Sequence, residues 1–274
     1  MSGLRVSAIS FLNTAPLMWD FEHGDAGRDF TFEYTVPSAC AAALAADQAD
    51  IGIIPAFTYA EIPGLVVIPD ISIASKDRVR SILLVSKKKI EDVRTVAVDT
   101  SSRTSVALLQ VLFANFLGGP RQLQPHPPDL QEMLRNHDAA LLIGDAALQV
   151  PAGAGYCIYD LAHLWHEATG KAFVFAFWAV REDALARTPA ALDLARVFQQ
   201  SRDHGLESTS LQTISEEWSQ RLPLTAGVIR EYLTENIYYY LDDEACSGYR
   251  LFLELARRIG LISSLPELRF LPKR

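Results

Sequence analysis

Five consecutive residues, Ser101-Ser102-Arg103-Thr104-Ser105, bring four hydroxyls and one guanidinium together just ahead of an apolar helical pattern. Free N–H groups at a helix start carry partial positive charge, and hydroxyls add donors. The segment therefore has the chemistry to hold a carboxylate or phosphate without a lysine. The same pattern also serves ordinary helix capping. Other polar residues fall at expected strand ends or helix starts: Asn13, Ser38 after Pro37, the Pro55-Ala56 step, Ser81 beside Arg80, and Asp145 after Gly144. The Asn13 amide could donate to a ligand oxygen or close an Asx-turn. Asp145 is a candidate general base or a cap for the residues after it.

These residues need elements to position them. Residues 4–10, 30–36 and 50–55 have strand patterns, with an Ala-rich helix over 39–46 between the last two and Ser38 as its expected N-cap. Strand, helix, strand in that order predicts a βαβ unit with a parallel sheet. Residues 66–74 and 80–86 predict two more strands, and 95–98 opens a second unit. Leu109, Leu112, Phe113, Phe116 and Leu117 then recur at helical spacing until Gly118-Gly119. Residues 139–143 and 173–180 complete the strands. Beyond them the pattern is helical, with Thr188-Pro189 as an expected helix start and further helices near 210–221, 225–236 and 243–259. The expectation is an α/β protein of two lobes with a helical C-terminal tail. Strands near 80–90 and 173–180 would cross between the lobes. The first lobe would comprise 1–88 plus 176–274 and the second 89–175, with a ligand cleft between them.

Composition narrows the function. The chain has 274 residues, 49% of them apolar and 21% charged, with a net charge of −8. That suits a soluble globular protein of one or two domains. The negative balance and the lack of a basic cluster argue against nucleic acid or an anionic membrane as partner, but not against one small anion in a pocket. Cys40, Cys157 and Cys246 are odd in number and far apart, so no disulfide framework or zinc site is expected. No basic start with an apolar run and no long apolar stretch is present, which predicts a cytoplasmic protein. His163 and His166 lack further ligands at metal-binding spacing, Thr169-Gly-Lys171 lacks the glycine of a phosphate loop, and no GxGxxG or GxSxG motif occurs. The expectation is no metal and no nucleotide cofactor; oligomeric state is not readable.

The same segments resemble the chorismate dehydratase family, whose reaction opens the futalosine route to menaquinone. The resemblance is carried by Arg5-Val-Ser-Ala-Ile-Ser-Phe-Leu-Asn-Thr-Ala-Pro-Leu17, with Phe11 where Tyr is commoner, and by Pro37-Ser38 followed by Asp50-Ile-Gly-Ile-Ile-Pro55. It continues through Ser72-Ile-Ala-Ser75, Val79-Arg-Ser-Ile-Leu-Leu84, Ser102-Arg-Thr-Ser105, Leu142-Ile-Gly-Asp-Ala-Ala147, Tyr159-Asp-Leu161, Trp165, Thr169-Gly170 and 173–178. Lys171-Ala172 departs from the usual Leu-Pro. The match spans residues 4–180.

The resemblance implies a periplasmic-binding-protein type 2-like fold, with mixed sheets flanked by helices, used as a cytoplasmic, cofactor-independent hydro-lyase. It implies conversion of chorismate, a small dicarboxylate, to 3-[(1-carboxyvinyl)oxy]benzoate and water. A sister family on this fold makes 1,4-dihydroxy-6-naphthoate. It opens with a turn rich in Cys, Pro and Asp in place of the Asn13 turn. A non-catalytic carboxylate-binding protein is the other alternative. Under the dehydratase reading, Ser102, Thr104 and Ser105 take one substrate carboxylate. Ser81 and the Pro55-Ala56 backbone, with Ser38 nearby, take the other end. Asn13 positions the ether or the departing hydroxyl. The base is Asp145 or the substrate's own enolpyruvyl carboxylate. Repulsion between a protein carboxylate and a dianion favours the latter.

Overall fold

Two five-stranded mixed sheets carry the fold of the computed structural model, which describes residues 3–151, 155–189 and 191–272. In chain order the strands are β1 (Leu4–Ile9), β2 (Phe30–Thr35), β3 (Ile51–Pro55), β4 (Leu65–Ser75), β5 (Ile82–Ser86), β6 (Thr95–Asp99), β7 (Gln122–His126), β8 (Ala139–Ile143), β9 (Cys157–Asp160) and β10 (Phe173–Arg181). The helices that flank them are α1 (Trp19–His23), α2 (Pro37–Ala45), α3 (Thr104–Asn115), α4 (Leu130–Asn136), α5 (Gly144–Leu148), α6 (Leu161–Thr169) and α7 (Glu182–Leu185). The C-terminal region adds α8 (Leu194–Gly205), α9 (Ser208–Ser219), α10 (Ala226–Glu231) and α11 (Asp243–Arg258), with one π-helical turn at Tyr232–Asn236.

The first sheet runs β2-β1-β3-β10-β4 and the second β7-β6-β8-β5-β9. Both follow one plan. Three parallel strands form one side, and a strand that has crossed from the other sheet's stretch of chain runs antiparallel beside them. Sheet membership places 82–86 in the second sheet and 173–181 in the first, so the chain passes between sheets at 76–81 and 170–172. The central strands β3, β8 and β10 are buried almost throughout, as their unbroken apolar runs require. β7 contains Pro125, which an edge strand tolerates, and β9 lies at the opposite edge. Neither of these short edge strands was anticipated from the sequence.

Two expected helix starts differ from the structure. Ser38 is not a cap: α2 begins at Pro37, whose ring already has helical φ and whose missing N–H costs nothing at a first turn. The Ser38 N–H instead donates to the Ser101 carbonyl at 3.2 Å. Thr188-Pro189 does not open α8 either. Thr188 Oγ1 donates back to the Ala184 carbonyl at 3.1 Å, and Asp193 supplies the cap by accepting from Arg196 N–H.

The tail packs across the first sheet and onto the crossings. Trp165, Phe173 and Phe252 meet edge to face where α6, β10 and α11 converge. At Gly248 of α11 an added Cβ would lie 2.0 Å from the Ala172 carbonyl oxygen, itself the acceptor of Trp165 Nε1. Gly248→Ala is therefore expected to lower stability by about 1–3 kcal/mol through overpacking against backbone. Denaturant unfolding reads this directly, and an unchanged midpoint would contradict the packing.

Candidate active site

The carboxyl ends of the parallel strands in both sheets meet at one cavity of about 440 Å³, partly open to solvent. Ile9 ends β1, Pro55 ends β3 and Ile143 ends β8, and all three line it. The antiparallel crossing strands begin there, contributing Ile82 from β5 and Phe175 and Ala176 from β10. This is where open α/β sheets place ligands, and it follows from strand direction alone. Most of the wall is apolar. Polar atoms come from Asn13, Ser102, Arg103, Thr104 and Ser105.

The polar corner lies at the start of α3. Ser102 Oγ accepts from Ser105 N–H at 3.2 Å, and Thr104 Oγ1 accepts from Phe57 N–H at 3.1 Å. Both hydroxyls are thus engaged as acceptors by backbone donors, which leaves each O–H proton free to donate. Ser102, Thr104 and Ser105 are all buried. The corner is built to donate hydrogen bonds next to a helix N-terminus, which is the chemistry of a carboxylate or phosphate site.

The Phe57–Thr104 bond also joins the two sheets. So do the Ser38–Ser101 backbone bond, the Arg103–Glu61 ion pair at 2.7 Å, and Leu12 N–H donating to Asp145 Oδ1 at 3.1 Å. Gly144, at φ +58°, lets the Phe11 ring close down on it; a Cβ there would be 2.7 Å from that ring. These contacts bring the two sheets together around the cavity.

A second polar cluster stands behind Asn13. Ser81 is fully buried, with its hydroxyl beside the Tyr232 phenol. Tyr232, from the π-helical turn, is buried with Ser81, Asn13 and Asp145 acting on its phenol. Burial raises the pKa of this phenol above its ordinary value, the Ser81 side chain opposes, the Asp145 charge adds, and Asn13 opposes again. The phenol stays protonated at neutral pH and is available as a donor. Burial likewise pushes Asp145 up to about 6, against the single Leu12 N–H that favours its charged form.

Of the residues singled out from sequence, Asn13, Pro55, Ser102, Thr104 and Ser105 line the cavity together. Ser38, Ala56, Ser81 and Asp145 do not line it. Each is next in sequence to a lining residue, respectively Pro37, Pro55, Ile82 and Gly144. Ala56 is buried, and its carbonyl accepts from Tyr249 Oη at 2.9 Å. Sequence reasoning missed the tyrosines that fix this wall: Tyr249 on Ala56, Tyr239 donating to the Asn13 carbonyl at 3.0 Å, and Tyr232. It also missed Phe11 and Phe175 as wall residues. No local signal marks them; the run Tyr238–Tyr240 reads as packing between terminal helices.

The model of the menaquinone biosynthesis family matches residues 4–258. The chain belongs to this family. Among curated relatives of this menaquinone-family chain, the chorismate dehydratase of Thermus thermophilus is 28% identical over 89% of this chain and 92% of its own. That of Campylobacter jejuni is 25% identical over 70% and 69%. In structure, an Archaeoglobus fulgidus protein superposes with a TM-score of 0.75 at 18% identity, covering 95% of this chain and 99% of its own. The periplasmic aliphatic sulphonate binding protein of Escherichia coli superposes at 0.64 and 14% identity, over 100% and 95%. The family member described here thus has a periplasmic-binding-protein-like fold.

The Asp145 environment has a pH signature. A carboxyl whose folded pKa lies above its unfolded value stabilises the fold at low pH and loses that contribution as pH rises through the folded pKa. Asp145→Asn keeps an oxygen for the Leu12 N–H and removes the buried charge. The variant is expected to melt higher than wild type above pH about 6, with the advantage fading toward about pH 4. Thermal melts across pH check this, and equal melting temperatures at pH 8 would contradict it.

Proposed function

We propose that this protein is a chorismate dehydratase: it removes the C3 proton and C4 hydroxyl of chorismate as water, leaving 3-[(1-carboxyvinyl)oxy]benzoate. The observation that carries the reading is the pair of buried hydroxyls, Ser102 and Thr104, fixed as donors at a helix start inside a mostly apolar cavity. That corner suits a ring carboxylate, and the apolar wall of Phe11, Ile73 and Phe175 suits a ring becoming aromatic. The carboxylate-accepting corner and the relatives' activity point the same way.

Aromatisation supplies the driving force, so the chemistry needs no oxidant, reductant or cofactor. What the protein must do is hold a dianion, orient the C3–H bond and exclude water. Two lobes, one around each sheet, would close on the substrate and perform the last task. Ser102, Thr104 and Ser105 bind the ring carboxylate. Pro55 and Pro37 line the cavity beside that corner, with Ala56 and Ser38 next to them in the chain. Asn13 and Ser81 orient the enolpyruvyl group, whose own carboxylate takes the C3 proton. Asp145 does not line the cavity and its Oδ1 already accepts from Leu12 N–H, so it is placed less well to take this proton than the substrate's own carboxylate. We infer from this reaction that the enzyme works in the cytoplasm.

Purified protein mixed with chorismate, without added metal or nucleotide, is expected to yield a product lighter by one water, seen by chromatography with mass detection. Asn13→Ala and Ser81→Ala should each lower kcat by about 10²-fold or more through lost positioning, while Asp145→Asn retains most activity. No turnover by folded wild-type protein would overturn the dehydratase reading. Abolished turnover in a folded, chorismate-binding Asp145→Asn would move the base to the protein.

A further inference from the structure

The first crossing between the sheets, residues 76–81, ends on Ser81, and its last turn has a demanding backbone shape. Ser81 N–H donates to the Val79 carbonyl at 2.7 Å, closing a γ-turn whose central residue, Arg80, lies at φ +60°. A residue with a Cβ keeps that conformation only where its surroundings impose it. One carboxylate imposes it. Asp160 Oδ2 accepts from Val79 N–H at 3.0 Å and from Arg80 N–H at 2.7 Å. Its other oxygen accepts from Ala162 and His163 N–H, the orphan donors at the start of α6.

A helix cap needs one oxygen. Asp160 spends the second on a turn about 80 residues upstream, and it is 7% exposed, so water is no substitute for it. The remaining ties on this turn lie at the surface. They include the Arg80–Glu231 ion pair, Asn236 Nδ2 donating to the Arg78 carbonyl, and His163 of α6 meeting Arg78 and Asp77. Beyond the turn, the Ser81 carbonyl accepts from Gly144 N–H at 2.8 Å, which seats Ser81 behind the cavity wall with its hydroxyl buried beside the Tyr232 phenol.

We propose that Asp160 is a positioning residue for catalysis, holding the left-handed Arg80 turn so that Ser81 keeps its place directly behind the cavity wall, beside the lining residue Ile82. The proposal rests on the dehydratase reading, in which Ser81 acts on the substrate. It differs from plain helix capping in a testable way. Asn caps helices as well as Asp does, so Asp160→Asn preserves the start of α6 while turning an N–H₂ toward the hinge donors. Glycine adopts φ +60° freely, so Arg80→Gly removes the need for the hold.

The experiment measures chorismate turnover and amide exchange over 78–81 in wild type, Asp160→Asn, Arg80→Gly, Arg80→Val and the Asp160→Asn/Arg80→Gly double variant. Asp160→Asn is expected to lose about tenfold to a hundredfold in kcat with little change in KM, and to exchange the Val79 and Arg80 amides faster. The double variant should recover most of the kcat. Arg80→Val, which keeps Asp160, should lose kcat where Arg80→Gly does not, although both lack the Glu231 ion pair; this comparison stands even if Asp160→Asn fails to fold. Undiminished kcat in folded Asp160→Asn, no rescue by glycine, or equal kcat in Arg80→Val and Arg80→Gly would overturn the proposal. Wild type without turnover overturns the dehydratase reading and Ser81's role with it. Unaltered hinge exchange in Asp160→Asn overturns only the hold by Asp160.

Discussion

Two backbone N–H groups, those of Phe57 and Ser105, donate to the hydroxyls of Thr104 and Ser102. This fixes which way both hydroxyls can donate in turn. A free serine is donor and acceptor at once and discriminates poorly between neutral and anionic ligands. Once a backbone N–H takes one lone pair, the O–H proton turns away from that donor toward a ligand, and next to a helix N-terminus an anion is the group that answers. One of the two bonds also crosses from the first sheet to the second, so the polarity of the anion corner depends on the sheets being together.

The rest of the fold secures that meeting. Each sheet is completed by a strand that has crossed from the other's stretch of chain, and both crossings start their strands at the cavity. The crossing before β5 sets Ser81, and the crossing before β10 is fitted against Gly248 of the last helix. Tail tyrosines then hold two carbonyls of the wall, those of Asn13 and Ala56. The helical tail is therefore part of the site's support although little of it touches the cavity. The fold is shared with a periplasmic aliphatic sulphonate binding protein. Under the proposed mechanism, dehydration by aromatisation asks the fold mainly for binding and orientation, because the substrate would bring both the driving force and the base.

Much of this was legible in the sequence because it is local. Alternation in 4–10 and 30–36, the apolar run at 173–180 and the hydroxyl-rich start at 101–105 report their own structure, since period and capping chemistry act within a few residues. The polar residues at strand ends were legible for the same reason, and Asn13, Pro55, Ser102, Thr104 and Ser105 meet at one cavity. What was hidden depends on partners distant in the chain. Asp160 before Leu161 reads as a cap, and nothing nearby signals that its second oxygen reaches Val79 and Arg80. Tyr232, Tyr239 and Tyr249 look like core residues until the tail is folded back. Phe11 and Phe175 have the same side chain whether they line a core or a ligand. Ser38 failed as a cap because the proline before it, an equally local signal, fits the first helical position better.

The central claim is that the ligand carboxylate is held by the O–H groups of Ser102 and Thr104. A crystal structure with 3-[(1-carboxyvinyl)oxy]benzoate bound tests it most directly. One carboxylate is expected within hydrogen-bond distance of both hydroxyls, with Thr104 Oγ1 still accepting from Phe57 N–H and the aromatic ring against Phe175. A product bound with both carboxylates turned away from the start of α3, or one that breaks the Phe57–Thr104 bond to fit, would contradict it.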